Sequence, residues 1–600
     1  MALLITYLLC AQSVWSTEHK SIIDQANSPE HIAAIDRTRR IIKHFDLIHA
    51  NPAFAGTNSD VLVKFKFDFI DSGGTQIDSV FWDWSEGNTV PFPSKVIPGF
   101  NSAGFKKWYR EGTDIVRHFL EETKKRGLET FYSYRINGSD SEPDYTGTIP
   151  FKKAHPEWLL DSFWTYHDTP KRRYLDFSRP QVRELKVRIL QEIAERYDFD
   201  GIQIDFARSP LLLPAGRQWE MRNDLNNFMR SVRRMMFSVA KKRGRPLLLA
   251  VKIPENIQGC HLDGIDIETW VSEQLADLLI LGVRSTNVDI QAFRRMTTGT
   301  NIKLYPCFDD AHGSDGYAGP SISIEVIRGV YTNWWSQGAD GVCTFNWPYA
   351  RKEAANFARL AVNLAGEQLM ETYLQAYREI GAPEILAAQD KAFVVQRRGG
   401  GHSNVPSPDD WHTPRAYYFN TNAFGQLPVE LDNQSKVDAL ITLRISDKLA
   451  AAADRISDLT MRVLLSDPGA KSLPEKQTVR RTEIRRYYGG WVRYNTPPSK
   501  DIVKHLEVRL NGGLLREPEV KNGWLVFRPD PKQFAMGENL IGMVLKGSPG
   551  TTSDHKLPPQ WWADLNELEI EAAKTVPYRG PGSPSVTLEK LEVHVKYRRP

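Results

Sequence analysis

The chain reads as an α/β protein, a (β/α)8 TIM barrel followed by an all-β sandwich of jelly-roll type. Between residues 40 and 366 one unit recurs: a short run rich in Ile, Val, Leu and Phe, a polar loop, then an amphipathic helical stretch. The apolar runs number eight, at 44–49, 77–82, 128–135, 201–206, 247–253, 278–283, 302–308 and 341–347. Beyond about residue 390 the pattern changes to short alternating runs separated by Gly and Pro turns.

The eight runs lack polar alternation, as strands buried on both faces of a barrel must. The first is contested, because 61–69 also has the look of a strand. Helices are expected over 104–126, 179–196, 217–243, 323–338 and 350–365. The second of them opens on Ser178, with Gln181 three residues on and Pro180 in the first turn. In such a start the serine side chain caps free N–H groups. A helical stretch ending near Gly381 leads out of the barrel, and strands at 439–445, 505–510, 524–527, 539–545 and 588–597 build the sandwich. Residues 397–414, rich in Gly, Ser and Pro, read as a loop. The expected division is an export signal at 1–16, the barrel at 17–384 and the sandwich at 385–600. The signal rests on the apolar stretch in MALLITYLLCAQSVWS and the small residues after it, although no Lys or Arg precedes that stretch. The run is too short to span a bilayer, so the expectation is a secreted or periplasmic protein with no integral membrane span.

At 600 residues with 41% apolar and 11% aromatic content, the chain can fill two large cores. Lys and Arg total 77 against 73 Asp and Glu, too slight a balance to point to nucleic acid. The 4 cysteines make neither a disulfide framework nor a metal-ligand spacing; Cys307 and Cys343 sit in strand-like runs and read as buried thiols, while Cys260 falls in a loop. No Gly-x-Ser-x-Gly, phosphate loop or dinucleotide fingerprint occurs, so no esterase chemistry and no cofactor is expected.

In a (β/α)8 barrel the chemistry sits where the strands end, because those loops surround one concave mouth. Residues at or just past the runs are Asp83 and Glu86; Arg135 and Asn137; Asp205 and Arg208; Lys252 and Glu255; Arg284; Asp309, Asp310 and His312; Asn346 and Trp347. Carboxylates after the fourth, fifth and seventh strands, Asp205, Glu255, Asp309 and Asp310, are what glycosidic bond cleavage needs, one as nucleophile or base and another as acid. Asp205 leads, since it ends an apolar strand while Asp200 already serves as the turn residue before it. The cations Arg135, Arg208, Lys252 and Arg284 near four consecutive strand ends raise the expectation of an anionic glycan, sulfated or uronic, unless they pair with the mouth carboxylates. Trp82, Trp84 and Trp347, near strand ends, are candidate platforms for the flat C–H faces of sugar rings, with Asn137, His312 and Asn346 as polar contacts; Trp334 and Trp335, within a helix, read as core. Asp309-Asp-Ala-His312 offers too few ligands for a metal to be expected.

Three segments also carry a resemblance: His155-Pro-Glu-Trp-Leu-Leu160, Tyr174-Leu-Asp-Phe-Ser-Arg-Pro-Gln-Val-Arg-Glu184 and Phe199-Asp-Gly-Ile-Gln-Ile-Asp-Phe206. Together with Gly264-Ile-Asp-Ile-Glu-Thr-Trp-Val-Ser-Glu-Gln-Leu275 they resemble the family-10-like glycosyl hydrolase group of bacterial barrel proteins, over roughly 40–370. The resemblance implies a carbohydrate-active enzyme with Asp205 in its active site. In retaining barrel glycosidases with the nucleophile after the fourth strand, the acid/base commonly follows the fifth, which is Glu255 here. The sequence departs from the simplest form of the motif, since Phe206 stands where a second acidic residue follows the Asp. The expected activity is therefore a retaining glycoside hydrolase with Asp205 as nucleophile, Glu255 as acid/base and a carbohydrate as partner. The alternatives are an inverting enzyme and a non-catalytic glycan-capture protein.

Overall fold

The computed structural model describes residues 20–46, 56, 58–85, 88–100, 103–138, 149–160, 174–208, 212–214, 216–282, 285–309, 322–347, 367–387, 389–396, 425–427, 429–431, 438–467, 498–546 and 586–598. Eight parallel strands close in chain order into a barrel: β1 (Ile41–Asp46), β2 (Ile77–Ser85), β3 (Glu129–Arg135), β4 (Gly201–Asp205), β5 (Leu248–Ile253), β6 (Leu278–Leu281), β7 (Lys303–Asp309) and β8 (Val342–Phe345). Ile42, Phe81, Phe131, Leu248, Ala250, Leu278, Ile280, Tyr305, Cys307, Cys343 and Phe345 point inward and fill the lumen as one buried cluster. Outward side chains of the same strands join the helices in a larger core.

The contested first strand resolves in favour of the 44–49 run, shifted three residues earlier. The rival segment is helical, over Ser59–Lys66 and Asp68–Asp71. Its Val63, Phe65, Phe67 and Phe69 alternate with polar residues like a strand. Asn58, however, accepts the N–H groups of Asp60 and Val61, which starts a helix there. The 104–126 helix is two, Ala103–Arg110 and Ile115–Lys125, parted at Gly112 in a left-handed turn (φ 72°) and restarted by Asp114, which accepts the Arg117 N–H. Ser178 is not the cap expected of it. Its N–H is turned onto Asp176, and the Pro180–Arg196 helix begins after Arg179 without a side-chain cap. The 217–243 helix starts at Arg222, 323–338 is the Ile324–Ser336 helix, and 350–365 lies outside the described residues. Cys307 and Cys343 are buried free thiols, register partners on β7 and β8, and burial pushes the Cys343 thiol well up, with Cys307 beside it adding to the shift. Cys260 is not in a loop but buried in the Ile257–Leu262 helix.

The C-terminal part builds two antiparallel sheets. One pairs β9 (Lys391–Val394), β10 (Val429–Leu431), β12 (Ile456–Ser466), β15 (Glu519–Lys521), β16 (Trp524–Phe527) and β18 (Val586–Tyr597). The other pairs β11 (Ala439–Ile445), β13 (Leu506–Leu510), β14 (Gly513–Leu514) and β17 (Gly537–Leu545). Met461, Val463, Leu591 and Val593 of the first share one buried cluster with Leu443, Ile445, Val508 and Ile541 of the second. The loop expected at 397–414 lies outside the described residues, and among those described no helix is long and apolar enough to cross a membrane.

The sheets are tied to the barrel through β9, which pairs with β18 and lies against the Ile324–Ser336 helix. At Gly329 in that helix, a Cβ would fall inside van der Waals contact with the Ala392 carbonyl oxygen, a main-chain atom that cannot swing away. Alanine is favoured over glycine in an open helix by about 1 kcal/mol. Here the sign reverses: Gly329→Ala is expected to destabilise by about 2 kcal/mol through overpacking, read as a lower urea midpoint.

Candidate active site

Asp205 is the last residue of β4, and Gly201, Gln203 and Asp205 share the inward side of that strand. A Cβ on Gly201 would collide with the inward Phe131 ring, and Gln203 accepts a hydrogen bond from Ser133 (2.7 Å) on β3. The Asp205 carboxylate is held unevenly. Oδ1 accepts the main-chain N–H groups of Ala207 (3.0 Å) and Arg208 (2.8 Å), a turn in which an Asp side chain closes on the two residues beyond it. Oδ2 has no hydrogen-bond partner among the described residues and lies 3.8 Å from Nζ of Lys252.

Strand register explains the neighbours. Arg135 of β3 and Lys252 of β5 are the register partners of Asp205 on either side, so two cations flank it at one level of the barrel. Arg135 Nε in turn lies 2.6 Å from Oδ2 of Asp83, which points inward from β2. Four consecutive strands thus alternate in charge: Asp83, Arg135, Asp205, Lys252. All four side chains are buried. Beneath them lies Phe345 of β8, its ring 3.9 Å from Lys252 Nζ, 5.9 Å from the Arg135 guanidinium and 4.6 Å from the His44 imidazole of β1. His44 was not anticipated; its signal was parity, since it shares the inward side of β1 with Ile42.

Glu255 follows β5 in a buried loop, its main-chain oxygen accepting the Asp289 N–H (3.0 Å), and it packs toward Gly282 past the end of β6. Asp309 is the last residue of β7, in register with Phe345. Its side chain, like Asp310, His312, Arg284 and Glu86, lies outside the described residues. Arg208 is buried beside Asp205, which its own N–H contacts.

Four expectations are corrected. Trp82 faces the helices, stacked on Phe45 (4.9 Å, 12°) with its indole N–H on Thr123 (2.9 Å). Trp84 packs edge-on against Phe119 in the same layer. Trp347 is enclosed by Phe308, Tyr331, Tyr373 and Tyr377. For Trp82 and Trp84 the reason is parity: an inward Asp83 sends both its neighbours outward. None of the three is a sugar platform. Asn137 is also structural, its side-chain amide pairing with the main chain of Leu175 in both directions (3.0 and 3.1 Å). Asn346 ends β8 in the left-handed region (φ 57°), a conformation Asn tolerates better than most residues, with its N–H on the His44 carbonyl.

Comparison with known proteins bears on this part of the barrel. Residues 66–212 match the model of the family described as glycosyl hydrolase-like 10. The glycosyl hydrolase DigH of Escherichia coli K12 is 27% identical over 141 residues, covering 22% of this chain and 30% of that protein. The chain thus spans under a third of this curated relative. Among solved structures, α-L-fucosidase isoenzyme 2 from Paenibacillus thiaminolyticus aligns at a TM-score of 0.38 and 12% identity, over 59% of this chain and 51% of that one. The PgaB glycoside hydrolase domain from Bordetella bronchiseptica aligns at 0.36 and 12%, over 57% and 99%. The match at 66–212 contains β2, β3 and β4, the segments at 155–160, 174–184 and 199–206, and the Asp83, Arg135 and Asp205 side chains: this stretch of the chain carries the sequence pattern of the glycosyl hydrolase-like 10 family.

Proposed function

We propose that the protein is a glycoside hydrolase that cleaves a polysaccharide or oligosaccharide by the retaining route, with Asp205 as nucleophile and Glu255 as acid/base. The observation that carries this reading is the Asp205 carboxylate. It stands at the end of β4 with one oxygen fixed by two N–H groups and the other left for chemistry. Oδ2 attacks the anomeric carbon while Glu255 gives its proton to the departing oxygen. Glu255 then takes a proton from the water that releases the sugar from Asp205. Asp309 or Asp310 stands in for the second role should Glu255 not fill it.

The charge pairing bears on substrate class. Among the described residues Arg135 lies beside Asp83 and Lys252 beside Asp205, so these four charges offset one another, which favours a neutral sugar next to them. A sulfated or uronic glycan would have to be drawn by Arg208 and Arg284. Export, expected from residues 1–16, belongs to the same proposal.

The test is release of reducing ends from a panel of neutral, uronate and sulfated glycans, with the anomer of the fresh product read by proton NMR. Retention of configuration supports the assigned roles, inversion removes the nucleophile role from Asp205, and binding without release favours the capture protein. Glu255→Gln is expected to slow hydrolysis about 10²- to 10⁴-fold on natural linkages. An aryl glycoside, whose leaving group needs no proton, should lose far less. Equal losses on both substrates would take the acid role from Glu255.

A further inference from the structure

The tryptophans expected to meet sugar are buried, yet the barrel rim carries another. Trp219 lies between β4 and the Arg222–Arg243 helix, on the C-terminal side of the barrel. Among the described residues it is the one aromatic in the set of exposed large apolar side chains, at 40%. His261, on the Ile257–Leu262 helix that follows β5, sets its imidazole 4.1 Å from the indole, centroid to centroid. The Arg222 guanidinium lies 4.5 Å from the indole ring and also donates to the Trp219 carbonyl (2.8 Å). Glu268 meets His261 Nε2 at 3.0 Å.

This group is built, not incidental. Gly264 adopts φ +77°, and a Cβ there would come within 2.7 Å of the Gln218 carbonyl oxygen. The main chain just before Trp219 is therefore seated directly on the main chain that follows β5. That contact fixes the indole relative to the two strands bearing Asp205 and leading to Glu255. A side chain held this firmly, and still exposed, can stack on a ring without ordering a loop first. Sugar rings present flat C–H faces that pack on indoles. The guanidinium, imidazole and carboxylate around this one supply donors and acceptors for hydroxyl groups.

We propose that Trp219, with Arg222, His261 and Glu268, forms a rim subsite for one sugar residue of an extended glycan chain, so that the substrate is a polymer or long oligosaccharide and not a disaccharide. The proposal rests on the glycan reading above and adds a length requirement to it. It is tested by isothermal titration calorimetry on the full chain carrying Asp205→Asn, which binds without turnover. The probes are hexasaccharides and disaccharides of the β-1,4-glucose, α-1,4-glucose and β-1,4-N-acetylglucosamine series. Trp219→Ala is expected to weaken hexasaccharide binding about tenfold while disaccharide binding holds, and Trp219→Phe to recover most of the loss. Unchanged hexasaccharide affinity in Trp219→Ala overturns the subsite and leaves the glycan reading standing. A parent protein that binds no hexasaccharide from these three series or from the uronate and sulfated members of the panel above takes the glycan reading and the subsite down together.

Discussion

Asp205→Asn should abolish hydrolysis, by about 10³-fold or more, while leaving the barrel folded. The asparagine keeps an oxygen for the N–H groups of Ala207 and Arg208, so the turn after β4 survives. An amide, however, is no nucleophile toward an anomeric carbon. The substitution also removes the negative charge that lies 3.8 Å from the buried Lys252 ammonium. Losing one partner of a buried pair costs about 3 kcal/mol, so the urea midpoint should fall as well. Activity and stability can be separated by adding Lys252→Met. With both charges gone stability should recover much of the loss, whereas hydrolysis should not return. Wild-type turnover in Asp205→Asn would refute the assignment, and restored turnover in the double variant would reduce Asp205 to a structural role.

The position of Asp205 was legible because a single polar residue closes an apolar run whose neighbours on both sides explain themselves as strand and turn. What surrounds it was not, and the reason is register. Arg135, Asp205 and Lys252 lie far apart in the chain and meet because β3, β4 and β5 pair residue against residue. Of the two readings of the strand-end cations, pairing with carboxylates is the one Arg135 and Lys252 follow, and pairing across strands leaves no mark in any one strand. Trp82 and Trp84 show a different limit. In a strand buried on both faces, apolar residues carry no alternation, and proximity to a strand end says nothing of direction. Only the polar residue between them, Asp83, held the clue. Trp219 escaped notice because the helix expected over 217–243 took it in, whereas the helix begins at Arg222 and the exposure of Trp219 depends on how Gly264 seats the neighbouring segment.

The barrel itself was readable as eight repeats of one unit, and the errors fell where local chemistry overrode pattern. Val63 to Phe69 alternates like a strand but is helical, because Asn58 supplies the cap. Ser178 has the spacing of a cap, but Asp176 is better placed and takes its N–H.

The largest loss of stability is expected at the opposite end of the barrel from the site, at Asp277. This carboxylate, just before β6, accepts hydrogen bonds from both terminal nitrogens of Arg233 (2.8 and 2.5 Å) and from the Leu249 N–H (2.7 Å), and His31 Nε2 lies 2.8 Å away. His31 belongs to the Pro29–Ile35 helix and Arg233 to the Arg222–Arg243 helix, so one carboxylate joins two helices to the strand ends. All three side chains are buried. Asp277→Ala leaves a buried guanidinium without its counter-charge, which costs about 3 to 5 kcal/mol, a large share of the 5 to 15 kcal/mol typical of a domain. The loss should depend on pH. Burial alone would push Asp277 up, but the Arg233 charge and His31 more than reverse it and hold the carboxyl well below its usual range. A group depressed in the folded state stabilises fully above its unfolded pKa, near 3.9, and loses that contribution as pH falls toward the folded value. Urea midpoints of wild type and Asp277→Ala should therefore stand far apart at pH 7 and begin to draw closer as pH falls from 4 to 3. Equal midpoints at pH 7 would show that Arg233 and His31 find other partners, and a gap unchanged at pH 3 would show that Asp277 is not the group whose proton binding couples to folding.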